Sequence, residues 1–152
     1  ICLGHQLATV ALGGQVCTSD HFCLGAAEMH LTPEGKKDPL LSVYDGHRGI
    51  HFNNDVAVVL PEDAVLLARD PTGQIEAVRF AERAWGVQFH PECTPEIFDA
   101  WTIGHGEKEW QQRLPWSEAV TVAETVRRDI DTVNAEEAFA ARFQELIDPE
   151  KR

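Results

Sequence analysis

The chain opens Ile1-Cys2-Leu3-Gly4-His5-Gln6, and much further along it reads Gly86-Val87-Gln88-Phe89-His90-Pro91-Glu92. Together the two stretches supply a thiol, an imidazole and a carboxylate, the three parts of a cysteine-based acyl-transfer site. The first stretch predicts a sharp elbow: a nucleophile between a strand and a helix, with Gly4 two positions on, is pushed clear of the backbone. A glycine there leaves room that a larger side chain would fill. The second stretch predicts an extended segment, in which residues i and i+2 point the same way, so His90 and Glu92 share a face. Pro91 fixes its own φ and keeps His90 extended. Glu92 then sets the tautomer of His90, and His90 takes the proton of Cys2.

The totals narrow the setting. At 152 residues the chain is the size of one domain and can bury a real core. No apolar run approaches the length of a membrane span, and no basic segment followed by an apolar stretch marks a secretory signal. A net charge of −12 repels phosphate backbones, which argues against nucleic acid as a partner. Cys2, Cys17, Cys23 and Cys93 lack the spacing of a disulfide framework, and a working thiol needs a reducing compartment, so the cytoplasm is expected.

Along the chain, Leu3 to Leu12 is apolar on nearly every side, with Leu7, Val10, Ala11 and Leu12. It predicts a buried helix stopped by Gly13-Gly14. Strands are expected over Gly14–Thr18, Cys23–Thr32 and Arg48–Phe52, the last ended by a turn at Asn53-Asn54-Asp55. Pro33 to Leu41 reads as a polar loop. Ala64–Arg69, Ile75–Ala81 and Ala84–Phe89 are joined by short turns and predict an antiparallel meander. Beyond His90 the pattern is helical: Pro95–Ile103; Ser117–Val133, capped by Ser117 with a stripe of Val120, Ala123, Val126 and Ile130; and Ala135–Ile147, capped by Asn134 with Phe139, Phe143 and Leu146 on one side. Gly104-His105-Gly106 reads as a hinge. The stripes of the tail helices are expected to pack on the chain's own sheet.

On its two motifs the chain resembles the class I, triad-type glutamine amidotransferases, and among them the glutaminase domain of GMP synthases and their stand-alone relatives. The likeness runs from Ile1 to about Trp101 and includes Gly13-Gly14 and Leu31-Thr32-Pro33-Glu34-Gly35. It implies a three-layer, flavodoxin-like α/β fold with a mixed sheet. Residues 1–103 would form the C-terminal portion of that domain, and residues 104–152 an acidic helical tail. The resemblance also implies strands and helices ahead of the elbow. Without them the helix after Cys2 lacks its expected support, and the chain alone is expected to fold poorly.

The same resemblance implies a reaction. Cys2, activated by the helix N-terminus and by imidazolium, attacks the side-chain amide of glutamine. His90 protonates the departing ammonia, and water hydrolyses the γ-glutamyl thioester. The backbone N–H of Leu3 would be one oxyanion donor. Gln6, one helical turn beyond Cys2, would contact the amino-acid end of the substrate. Asn53 and Asp55 stand where relatives carry a His-x-Asp pair that grips the α-amino group, with Asn53 in place of His. No cofactor or metal is implied. No phosphate-cradling GxxxxGK loop is present, so an ammonia acceptor would be activated on another segment or on a separate synthetase subunit.

Other readings compete. Esterase-type hydrolases also use such elbows, but there the acid precedes the histidine in the chain, whereas Glu92 follows His90. A relative that keeps the fold without turnover, and a hydrolase of another γ-glutamyl compound, both stay open. Cys17, His21 and Cys23, with His5 or His30 as a fourth ligand, read better as buried thiols and loop polar groups than as a zinc site. His47 and His51 lack the helix that a helical zinc pair needs. Cys93 reads as packing beside Glu92.

Overall fold

The computed structural model describes residues 1–102, 115–133 and 135–148. Helix α1 (Leu3–Ala11) follows Cys2 directly and is stopped by Gly13, whose φ of 96° is the left-handed conformation of a glycine cap. Gly14 then passes so close to β3 that a Cβ there would lie 2.4 Å from the Val59 carbonyl oxygen. Strand β1 (Gln15–Glu28) runs the whole way through residues 19–22, where the sequence predicts a break. It pairs antiparallel with β3 (Arg48–Val59), with an irregular register between Thr18 and Cys23.

The turn expected at Asn53-Asn54-Asp55 is absent, because these residues continue β3. Pairing overrides their turn preference: Asn53 lies opposite Cys23 and Asp55 opposite Thr18. Their side chains also find partners within the ladder, with Thr18 Oγ1 donating to Asp55 Oδ1 at 2.8 Å and Asn53 Nδ2 to the Asp55 carbonyl at 3.2 Å.

The second sheet has the order β2-β4-β5-β6, from β2 (His30–Leu31), β4 (Val65–Arg69), β5 (Ile75–Ala81) and β6 (Ala84–Val87). All its pairings are antiparallel, so the expected meander is present. The β4–β5 turn is built on Asp70, whose Oδ1 accepts from the Thr72 and Gln74 backbone N–H groups, and on Gly73 at φ 94°. The segment 33–44 is less polar in its setting than its composition suggests. It forms two 3₁₀ turns, Gly35–Lys37 and Leu41–Tyr44, that bury Leu40, Leu41 and Tyr44. Buried Asp38 organises them, accepting from the Leu40 and Leu41 N–H groups and from Trp85 Nε1.

After β6 the chain bends at Gln88 and Phe89, turns at Pro91-Glu92 where an extended segment was expected, and stitches the two sheets together. Gln88 N–H donates to the Glu76 carbonyl on β5, and two residues on His90 N–H donates to the Ile50 carbonyl on β3, both at 2.8 Å. Helix α2 (Pro95–Trp101) is capped by the Thr94 hydroxyl. Helix α3 (Trp116–Val133) packs on β1 and α2 through Ala119, Ala123, Val126 and Ile130. Ser117 lies inside it rather than capping it, and Val120 is off the buried stripe. Helix α4 (Glu136–Ile147) sets Phe139 and Leu146 on the core around Tyr44, while Phe143 faces out. The expected hinge at residues 104–106 and the expected cap Asn134 lie outside the described residues.

The apolar side of α1 has no cover among the described residues, in line with the expectation that this helix lacks its support here. Leu3, Leu7 and Val10 are 63%, 61% and 55% exposed, and Leu12 and the end of β3 (Val58, Val59) lie open as well. The inward face carries His5, Gln6 and Thr9. Thr9 bonds back to the His5 carbonyl at 2.9 Å, and Gln6 bonds into β3. His5 packs against Phe80 and the open space over Gly86, where a Cβ would fall 2.6 Å from its Nδ1. Neither ring nitrogen of His5 has a partner among the described residues, and burial drives its pKa down to about 4.

His5 therefore enters the fold neutral. Its contribution to stability is complete above pH 6.5 and is lost as pH falls toward 4, because the unfolded chain takes up a proton that the folded one resists. Replacing His5 with Leu should flatten this acid limb. Between pH 7 and pH 4.5 the wild type should lose about 2–3 kcal/mol more than the variant, read from denaturant midpoints.

Candidate active site

Cys2 is the one non-glycine residue with positive φ among the described residues (φ 44°, ψ −107°). A backbone held there costs on the order of 1–3 kcal/mol and persists only where neighbours over-determine it. Here they do. Cys2 N–H donates to the Val87 carbonyl at the end of β6 (2.8 Å), and the Cys2 carbonyl accepts from Gln6 N–H (3.1 Å) as α1 begins. Cys2 thus heads α1 as expected, and this hydrogen bond ties it to the end of β6. Leu3 occupies the first helical position, where a backbone N–H has no partner within its own helix.

His90 sits at the end of the stitched segment. Its Nδ1 lies 2.7 Å from Glu92 Oε1, the two brought together by a turn at Pro91-Glu92. Its Nε2 is buried with no hydrogen-bond partner among the described residues. Burial alone would disfavour the charged ring, but interactions with the Cys2 thiol and the Glu92 carboxylate outweigh it and raise the His90 pKa to about 9. For Glu92, partial burial opposes ionisation and the His90 bond favours it, leaving its pKa below the usual carboxylate range. Trp101 covers the imidazole, with ring centroids 4.6 Å apart, and itself touches Phe52 at 5.7 Å.

Behind the thiol lies a chain of amides. Gln88 Nε2 is 3.5 Å from Cys2 Sγ, Gln6 Nε2 is 3.1 Å from Gln88 Oε1, and the same Gln6 Nε2 is 2.7 Å from the Asp55 carbonyl. Gln6 is 7% exposed, so its side chain is turned into the protein. Asn53 converges on the same Asp55 carbonyl, and its Oδ1 has no partner among the described residues. The Asp55 carboxylate faces Thr18 instead. A cavity of about 430 Å³ is lined by Ser19, Asp20, His21, Phe22, Phe52 and Asn53. Neither Cys2 nor His90 lines it; Phe52 and Trp101 lie between it and the imidazole.

Three residues here have no role in the motif reading. The placement of Gln88 against Cys2 carries no local signal, because the chain bends at Gln88 and Phe89 just past the end of β6. Trp101 and Phe52 carry no local signal, because their approach to His90 depends on how α2 and β3 pack. The remaining thiols and histidines are dispersed. Cys17 is exposed, Cys23 contacts the Gln74 amide at 3.8 Å, and Cys93 is buried with its pKa pushed up to about 12, chiefly by burial. His51 is paired with Glu76 at 2.7 Å in the interior. Among the described residues no three His, Cys, Asp or Glu side chains gather as metal ligands, and no helix is long and apolar enough to cross a membrane.

This fold and this cluster define a class. A profile of the glutamine amidotransferase class-I family matches residues 1–104, and the chain belongs to that family. It is 32% identical over 97 residues to a glutamine-hydrolyzing GMP synthase subunit of Methanothermobacter thermautotrophicus, covering 60% of this chain and 49% of that protein. It is also 32% identical over 110 residues to the glutamine amidotransferase-like protein YfeJ of Salmonella typhimurium, covering 72% and 45%. The chain thus spans about half the length of these curated relatives. A crystal structure of a glutamine amidotransferase from Methylobacillus flagellatus superimposes with a TM-score of 0.74 at 22% identity, over 97% of this chain and 61% of that one. One from Thermotoga maritima gives 0.72 at 17%, over 97% and 60%. The expected fold class holds, as part of the flavodoxin-like amidotransferase architecture.

The Glu92 contact and the Cys2 contact both hold the proton on His90. In a Glu92→Gln variant the His90 pKa should fall from about 9 toward its ordinary 6.5. A histidine-selective NMR titration reads this, and an unmoved midpoint would dismiss the contact.

Proposed function

We propose that the chain is the nucleophile-bearing part of a glutaminase, with Cys2, His90 and Glu92 as its catalytic triad. The observation that carries this reading is the elbow: a strained cysteine, anchored to β6 and heading a helix, beside an imidazole that a carboxylate holds protonated.

The reaction follows from these groups. With its pKa near 9, His90 is an imidazolium at neutral pH and Cys2 supplies the thiolate. The sulfur attacks the side-chain amide carbon of glutamine, and the carbonyl electrons move to oxygen, where the Leu3 N–H at the helix N-terminus is a suitable donor. As the oxyanion collapses, the C–N bond breaks and the His90 proton goes to the leaving nitrogen, releasing ammonia. Neutral His90 then takes a proton from water as its oxygen attacks the thioester, and glutamate departs with the thiolate restored. Glu92, bonded to Nδ1, keeps Nε2 as the working nitrogen throughout.

Substrate recognition falls to Asn53 and Asp55, whose Oδ1 and carboxylate can accept from an ammonium. Gln6, with its amide engaged inside the protein, supports the pocket from behind. The likeness to the GMP synthase subunit supports glutamine as substrate and a separate synthetase chain that receives the ammonia. The charge of −12 speaks against nucleic acid, and a working thiolate against an oxidising compartment; both favour a cytoplasmic enzyme.

A diazoketone analogue of glutamine should label Cys2 alone, glutamine should protect it, and Cys2→Ala should abolish both labelling and ammonia release. His90→Ala should slow glutaminase turnover by about 10²–10⁴-fold. Absence of labelling at any dose, with the thiol still open to iodoacetamide, removes the enzyme and leaves a non-catalytic relative.

A further inference from the structure

The amide chain behind Cys2 has a direction that can be worked out from hydrogen-bond chemistry alone. A backbone carbonyl only accepts, so the Gln6 side-chain atom 2.7 Å from the Asp55 oxygen is its nitrogen. That nitrogen is also 3.1 Å from the end of the Gln88 amide. A donor needs an acceptor there, so Gln88 presents oxygen to Gln6. Its NH₂ is then the group 3.5 Å from the Cys2 sulfur. The opposite flip would set two NH₂ groups against each other at one end and a carbonyl oxygen against sulfur at the other.

Gln88 is fully buried, and its own N–H is tied to the Glu76 carbonyl, so the amide has no bulk water to turn to. Charged sulfur accepts such a bond far better than a neutral thiol, and a donor aimed at a group favours its ionised form. We propose that Gln88 is a further catalytic residue, whose amide donates to the Cys2 sulfur and favours the thiolate, and that Gln6 is the positioning residue that keeps the donor turned that way. This deepens the glutaminase reading and rests on it for its catalytic meaning. It also gives the Gln6 side-chain nitrogen work inside the protein.

The test uses the pH profile of Cys2 alkylation by iodoacetamide, followed by peptide mass spectrometry on the full chain. No glutamine turnover is involved, so failure of the glutaminase reading and failure of this inference remain separate results. Gln88→Met keeps the volume and removes the donor. Alkylation of Cys2 at pH 7 should slow about tenfold, with the profile displaced to higher pH, while exposed Cys17 reacts as before. Gln88→Glu should slow it further, and Gln6→Met should have a smaller effect of about threefold, because Gln88 can then flip. A wild-type rate and profile in folded Gln88→Met overturns the proposal, as does a slower rate with no displacement of the profile. Should both Gln88 variants fail to fold, the wild-type protein decides. The Gln88 side-chain NH₂ resonances should titrate together with the Cys2 thiol, and resonances indifferent to its ionisation overturn the proposal.

Discussion

The backbone bond from Cys2 N–H to the Val87 carbonyl joins the two ends of the site. It locks Cys2 to the last residue of β6, and the next five residues run from Gln88 to Glu92 through a bend and a turn. Position then follows without further adjustment. Gln88 and His90 lie on a bent segment whose N–H groups at these two positions are claimed by β5 and β3. A cysteine at φ 44° would otherwise relax; here the strand end on one side and the helix start on the other hold it. The same bond explains why residues far apart in the chain make a site at all.

The interior behind the elbow is polar, and this sets the orientation of α1. His5, Gln6 and Thr9 face inward, next to Gln88 and the His51–Glu76 pair. Buried polar groups are tolerated when they find partners, and most do: Thr9 in its own helix, Gln6 and Gln88 in the amide chain, His51 on Glu76 and on the Gly49 carbonyl. On the inward face of α1, His5 alone has neither ring nitrogen partnered among the described residues, and it remains neutral as the price of its place. With the inward face occupied in this way, the leucines and valine of α1 turn out to solvent. Within this chain, hydrogen bonds to β3 and to the Gln88 amide fix which side of α1 faces the described sheets.

Legibility in the sequence followed the range of the interaction. The Gly13 stop of α1, the Asp70–Gly73 turn and the antiparallel meander were readable, since each depends on residues within a few positions of one another. The closeness of His90 and Glu92 was readable from their spacing, but not its geometry: Pro91 and Glu92 form a turn closed by Cys93 N–H on the His90 carbonyl, where an extended segment was expected. Asn53-Asn54-Asp55 misled, because a local turn preference of modest size lost to a continuous ladder with β1. Leu40, Leu41 and Tyr44 were hidden inside a segment whose average is polar, and their burial around Phe89 and Phe139 comes from distant strands and helices.

By itself the sequence determined which chemical groups this protein has and the local spacing that presents them: a cysteine before a helix, and a histidine two residues from an acid. These are matters of spacing, and spacing is written in the chain. Only the tertiary structure decided what surrounds them. It chose the inward face of α1, turned Gln6 to Gln88 and Gln88 to the sulfur, and laid Trp101 over the imidazole. Each of those contacts joins segments separated by many residues, and their geometry is set by how whole strands and helices pack.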